Sequence, residues 1–383
     1  MNLTHAYLKA AADSGRGVLS LLMEAARLRL SPTRLGLSEY IDFQLYKTDI
    51  AWEKKRAFGG QRTQAAAEEL LIDDYSRFLS LDKVTMYALL AGLNLPIPKI
   101  RAVYRSLRPN AIGSLNSADQ LAEFISIPDN LPLYIKRSFG SYGRGNVLVK
   151  GYEMGFVLLG NGEREPIADF CASLDDGRTL GWILQDPLTP HRNIAALTGS
   201  NKISGLRVHT FLQSDAVKVT KAIFKVNAGV RDSDNFEHGA SGNMLAALDI
   251  RSGRVIRAIA GVGLHQTQLQ QHPRTQIPLV DFEIPYWREV VDLVTDAQKA
   301  FPGFICPGWD IAICDDGPKI LEVNTFGDVD LSQHAYRRSF FDEEFMSCLQ
   351  SRHLGDFLFS QADQHKVSKA NNRKGARRRH WRW

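Results

Sequence analysis

The stretch "GWDIAICDDGPKILEVN", residues 308–324, decides the fold. Asp310 opens one strand-like run, "WDIAIC", and Glu322 and Asn324 sit in a second, "ILEVN". Asp316-Gly317 is a turn signal between them, so the two runs are expected to pair as an antiparallel hairpin. Glu322 and Asn324 are two residues apart and share a face, and pairing brings Asp310 close to them. Hard oxygen ligands grouped this way suit Mg²⁺, which keeps waters and takes further ligands from substrate phosphates. A solvated acidic face is the competing reading. The apolar neighbours Ile311, Ile313, Ile320, Leu321 and Val323 argue against it, because a buried carboxylate needs a partner or a metal.

Upstream, "YIKRSFGSYGRGNVLV" (134–149) reads as strand, glycine-rich loop, strand. Glycines let backbone N–H groups approach an anion closely. The loop lacks the Gly-x-x-x-x-Gly-Lys-Ser/Thr spacing, and no helix clearly follows it, so neither the P-loop nor the dinucleotide-binding fingerprint applies. A flap closing over phosphates and a plain surface hairpin both remain open. Lys136, inside the first strand, is either a snorkelling edge residue or a phosphate partner. Arg207, in "GLRVHTFL", either faces solvent or an acid, or stabilises a transferring phosphoryl group.

Around these runs the pattern is mixed. Residues 3–30 are expected as one helix, with Val18, Leu21, Leu22, Ala25 and Leu28 on one face, and a more charged helical region follows over 38–67. A helix then a strand are expected over 81–100, a strand ending at Asp186-Pro187, strands over 204–212 and 217–228, a hairpin turning at Ser252-Gly253, and an amphipathic helix over 285–301.

The 383 residues exceed what one typical domain needs, and 44% of them are hydrophobic, ordinary for a globular protein. No apolar run is long enough to span a bilayer, and a secretory signal pattern is lacking. The four cysteines are scattered without metal or framework spacing, so free thiols in a reducing cytoplasm are expected. The formal charge of +5 is local: residues 366–383 hold eight Lys/Arg and no Asp/Glu, leaving 39 basic against 42 acidic residues elsewhere. Nucleic-acid binding by the folded part is therefore not expected. The tail mixes tryptophan with arginine, a composition that also suits weak contact with an anionic membrane surface.

In this order the pieces resemble the ATP-grasp superfamily. The matching elements are "DKVTMYALLAGLNLPIPK", "YIKRSFGSYGRG", "WILQDPL", "LRVHTF" and "WDIAIC…ILEVN", with eleven residues between Asp310 and Glu322. "LSEYIDFQLYKTD", "DNFEHGASGN", "PGWDIAI" and "LEVNTFGDVDLSQ" are similar to the sugar-transfer-associated branch, a family linked with polysaccharide gene clusters. The resemblance implies an α+β ATP-grasp fold, two α+β subdomains clasping ATP, with an N-terminal helical extension. The expected division is an N-terminal helical region (1–75), a preceding subdomain (76–130), a lid with the flap (131–190), a C-terminal catalytic subdomain (191–360) and a basic disordered tail (361–383).

The resemblance also implies roles. Lys83 and Lys136 would contact ATP phosphates under a flap of Gly140, Ser141, Gly143 and Gly145. Gln185, Asp186 and Leu188 belong to the hinge that would bind adenine. Arg207 would steady the transferred phosphoryl, and Asp310, Glu322 and Asn324 would bind Mg²⁺. The implied reaction is a carboxylate–amine ligation on glycan-linked or small-molecule substrates. A small-molecule kinase and a non-catalytic nucleotide-binding scaffold are the alternatives. Two departures stand out: Gln185 where glutamate often opens the hinge, and His238-Gly239-Ala240-Ser241-Gly242 where a Gly-Gly pair often follows Asp234-Asn235. Asp234, Asn235, His238, His209 and His265 are acceptor-site candidates.

Overall fold

The computed structural model describes residues 2–105, 113–140, 145–175, 180–213, 216–228 and 233–354. Ser141, Gly143 and the basic tail lie outside the described residues.

The N-terminal region is helical but not one helix. It breaks into Leu3–Ser14 and Val18–Arg29 because Gly15 takes the left-handed conformation (φ 65°) that ends the first helix, and Gly17 starts the second. The charged region that follows likewise splits into Leu37–Asp42, Trp52–Ala57 and Gln61–Leu71. Tyr7, Leu21, Leu28, Tyr40, Phe43, Tyr46 and Phe58 form a small core of their own. The Glu39 carboxylate accepts from the backbone N–H groups of Gly36 and Gln61, capping two of these helices at once.

The first sheet contains β1 (Ile100–Tyr104), β2 (Ser114–Leu115), β3 (Leu133–Arg137), β4 (Val147–Glu153), β5 (Phe156–Leu159), β6 (Arg164–Pro166) and β7 (Trp182–Gln185), in the order β2-β1-β7-β3-β4-β5-β6. Among the described residues of this sheet, only β1 and β2 pair in parallel. Segments 76–130 and 131–190 thus share one sheet. The second contains β8 (Leu206–Leu212), β9 (Val217–Val226), β10 (Met244–Leu248), β11 (Val255–Ala260), β12 (Thr267–Leu269), β13 (Gly308–Cys314) and β14 (Gly317–Asn324), ordered β12-β11-β10-β9-β8-β13-β14 and antiparallel throughout.

The β13–β14 hairpin closes over Asp315 and Asp316, one residue earlier than the sequence suggests, with Gly317 at φ 110°. Its register contains a bulge: Asp310 faces Glu322 and Ile311 faces Ile320, leaving Leu321 unpaired. Pro318 and Ile320 are buried, and after the bulge the buried position moves to Val323. Strict alternation would send Glu322 to the core side with Ile320. The bulge re-aims it, as bulges near functional sites do.

One face of the second sheet carries the amphipathic helix Trp287–Lys299, and helix Val329–Tyr336 packs on β9, β10 and β11. The N-terminal helices are clamped to this half. The Gln333 amide donates to Gly59 O (2.7 Å) and accepts from Gly59 N–H (3.2 Å), Ser339 donates to Ala57 O (2.6 Å), and Gln44 donates to Gly263 O (2.7 Å). Beside the clamp lies an aromatic cluster in which Phe340 meets Phe326, Phe341, Phe345 and His209 at centroid distances of 4.9–5.6 Å. Phe340→Ala is expected to destabilise the protein by about 3–5 kcal/mol, read as a lowered urea midpoint with an unchanged slope.

Candidate functional site

A cavity of about 230 Å³ lies between the two sheets. Gln185, Pro187 and Leu188, at the end of β7, line one part of it. Lys83, Lys136 and Gly140 line another, and Asp310, Glu322 and Lys225 line the side formed by the second sheet.

Local structure fixes each of these side chains. Asp82 caps helix Lys83–Gly92, its carboxylate accepting from Thr85 N–H, so Lys83 becomes the first helical residue. The Lys83 backbone N–H donates to Ser138 O (2.9 Å), and its ammonium reaches Gly140 O and lies 3.6 Å from Glu322 Oε2. Lys136 projects from β3 and donates to the Tyr87 hydroxyl (2.6 Å), which in turn donates to Leu321 O. That relay ties the first sheet to the bulge of the second.

Asp310 lies at the centre of a buried charge cluster. Register places Arg207 beside it on β8, and the guanidinium grips both carboxylate oxygens, Nε–Oδ1 at 2.6 Å and Nη2–Oδ2 at 3.1 Å. Lys225 Nζ lies 3.4 Å from Asp310 Oδ2 and 3.2 Å from Asp234 Oδ1. Asn324 Nδ2 approaches Asp310 Oδ2 at 3.5 Å and donates to Gly308 O at 3.3 Å.

The ionisation of these groups follows from burial set against neighbours. Burial favours the neutral acid of Asp310, but Arg207 and Lys225 outweigh it and hold the carboxyl well below its usual range. Burial alone would weaken the Arg207 cation, yet Asp310 holds its proton firmly. Lys225 likewise stays charged against burial because of Asp234 and Asp310. Lys136 differs. Burial, and then the charge of Lys83, lowers it to about 7, with Glu322 opposing.

Of the residues singled out from sequence, Lys83, Lys136, Gly140, Gln185, Leu188, Asp310 and Glu322 line this cavity. Arg207 and Asn324 reach it through Asp310. Asp186 does not line it: its carboxylate lies 3.4 Å from Arg101 on β1. Gly145, expected in the flap, does not line the cavity and sits near the Arg137 and Trp182 side chains. Among the acceptor candidates, Asp234 and Asn235 line the cavity. His209 is buried against Phe340, and His265 falls in a short turn near the N-terminal helices; neither lines it. Sequence reading missed Lys225 and Tyr87. A lysine in the apolar run "AIFKVNA" was the available signal for Lys225, whereas nothing local marks Tyr87.

Two α+β sheets holding a cavity between them, with an Asp…Glu-x-Asn hairpin on one side and a lysine-bearing strand before a glycine-rich loop on the other, define the ATP-grasp class. The chain belongs to the sugar-transfer associated ATP-grasp family, whose model matches residues 69–346. No significant match was found among curated proteins. Solved structures similar to it include the D-alanine–D-alanine ligases from Bacillus anthracis (13% identity, TM-score 0.39, covering 80% of this chain and 76% of that one) and Coxiella burnetii (10%, 0.40, 80% and 64%). The ATP-grasp ligase PsnB, in complex with a precursor peptide and AMPPNP, is a third (15%, 0.37, 76% and 62%). Among the described residues, no helix is long and apolar enough to cross a membrane.

Lys136 gives a test in pH. Its folded value, about 7, lies below the ordinary 10.5, so between these limits the unfolded chain binds more protons than the folded one. Stability therefore rises with pH across that window. Urea denaturation of the nucleotide-free protein is expected to follow this slope between about pH 7 and about pH 8, below the range where the buried cysteines lose protons on unfolding, and Lys136→Met is expected to flatten it.

Proposed function

We propose that the protein is a Mg²⁺-dependent ATP-grasp ligase that activates a carboxylate as its acyl phosphate and joins it to an amine. The observation that carries this reading is the Asp310–Glu322 pair, opposed in register and bordered by Arg207, Lys225 and Lys83, within the same cavity as Gln185, Pro187 and Leu188. Phosphoryl transfer needs positioning and charge neutralisation more than covalent protein chemistry. These residues supply both.

The donor set fits Mg²⁺. Among the described residues no group of three His, Cys, Asp or Glu could hold a metal, as a zinc site would require. Two carboxylates with an amide between adjacent strands match the sparse protein ligation Mg²⁺ accepts when phosphates complete its shell. Asp310, Glu322 and Asn324 would hold it, and when bound it would neutralise phosphate charge and orient the transferred group. Lys83 and Lys136 would meet the phosphates under the Gly140–Gly145 flap. The hinge at Gln185–Leu188 would take the adenine, and Arg207 would steady the phosphoryl in flight. The family description supports a setting in cell-surface or extracellular polysaccharide synthesis.

The test is ADP release from MgATP across a panel of carboxylates, with hydroxylamine present to capture any acyl phosphate as a hydroxamate. Glu322→Ala and Arg207→Met are each expected to lower ADP release at least about 100-fold, the scale of losing one transition-state contact. A stable phosphorylated product indifferent to hydroxylamine would instead identify a kinase.

A further inference from the structure

Helix Val18–Arg29 buries one face and bares the other. Leu21, Ala25 and Leu28 are buried in the small N-terminal core. Leu19, Leu22, Met23 and Ala26, with Leu30 at the C-cap, are exposed, Leu19 and Leu30 at 70% and 75%. These five stand at i, i+3, i+4, i+7 and i+11, so at 3.6 residues per turn they form one stripe, opposite the buried face. A continuous apolar stripe in water marks an interaction surface, whereas scattered apolar residues do not.

The rim of the stripe is basic. Arg27 and Arg29 flank it on opposite sides by helical position. Arg27 lies over the Trp52 ring, 4.5 Å from its centroid. Trp52 opens helix Trp52–Ala57, on which Lys54 and Arg56 are exposed beside one acid, Glu53. The one acid of Val18–Arg29, Glu24, is held by Lys55 (2.6 Å) and Arg16. The adjoining helix Leu3–Ser14 exposes Leu8 and Lys9. Its one acid, Asp13, accepts from the Tyr46 hydroxyl (2.9 Å).

This pattern selects the occupant. A second copy would bring the same patch against itself, as closed two-fold contacts do, and would set one basic rim on another. Residues 366–383 hold eight Lys/Arg and no Asp/Glu, so they too lack the charge to meet that rim. An anionic bilayer surface supplies both needs: hydrocarbon at the headgroup boundary for the stripe, and phosphates for arginines whose stems lie along it. We propose that the Leu19–Leu30 face docks the protein on an anionic lipid surface, with helix Val18–Arg29 lying in the plane of the headgroups. The clamp of Gln333 on Gly59 joins the N-terminal region to the half that carries Asp310 and Glu322, so docking would hold the candidate site close to that surface.

The experiment is co-sedimentation of the full chain with vesicles at low salt. One set holds phosphatidylcholine and phosphatidylglycerol in equal parts, the other phosphatidylcholine alone, and light scattering reports the mass of the protein free in solution. Wild type is expected to bind the anionic vesicles, to bind the neutral ones at least about 10-fold more weakly, and to lose affinity as salt rises. Leu19→Gln/Met23→Gln/Leu30→Gln keeps every basic residue, those of 366–383 included, and glutamine is a good helix former. This variant is expected to bind anionic vesicles at least about 10-fold more weakly, with its urea midpoint unchanged. If it does not fold, Leu30→Gln alone is expected to weaken binding in the same direction. Four results would each overturn the proposal: wild type that ignores anionic vesicles; equal binding to both vesicle types; a folded triple variant that binds as tightly as wild type, which would leave the basic segment alone responsible; or a wild-type dimer that the triple variant dissolves.

Discussion

The bidentate ion pair between Arg207 and Asp310 is the constraint on which the rest of the site depends. Two charges inside a protein are tolerable only with good geometry and further partners, and breaking such a pair is costly, about 3–5 kcal/mol. Here the partners come from four adjacent strands: Arg207 on β8, Lys225 on β9, Asp310 on β13, and Glu322 and Asn324 on β14. The strands must hold register for the charges to compensate. Two glycines make room. A Cβ on Gly308 would come within 2.9 Å of Arg207 Cδ, and one on Gly327, at φ 74°, within 3.0 Å of Arg207 Nη1 and 2.9 Å of His209 Nε2. The close approach of backbone to guanidinium needs glycine at both positions.

On the proposed reading, the same cluster prepares one cavity for an anion and a metal. Asp310 is kept ionised by cations that are themselves fixed, so a carboxylate is ready without a proton to remove. At the other side, Lys83 and Lys136 repel each other, and burial leaves Lys136 on the edge of losing its charge. An incoming anion would favour its charged form. Nucleotide binding and site ionisation are in this way expected to reinforce each other.

Much of the fold was legible. Alternation and β-branched content marked β8, β9 and β13, and Asp316-Gly317 located the hairpin to within a residue, because these signals are local. Glu322 and Asn324 were legible as a pair from their spacing, but the bulge at Leu321 that aims Glu322 was not, since it depends on pairing with β13. Gly15 and Gly17 carried the signal for the break in the N-terminal helix, yet the helix marked by the face from Val18 to Leu28 was read as reaching back to residue 3. Lys225 was hidden because a buried lysine in an apolar strand acquires meaning only with its acids, Asp234 and Asp310, beside it.

The account turns on Asp310 and Glu322 belonging to a metal–nucleotide site and not merely to a structural ion cluster. The direct measurement is calorimetric titration of ATP, with and without Mg²⁺, into the wild type and Glu322→Ala. The expected result is wild-type binding that Mg²⁺ strengthens, with the variant folded and its Mg²⁺-dependent gain gone. A folded wild type that binds no nucleotide, or a Mg²⁺ effect that survives in Glu322→Ala, would contradict it.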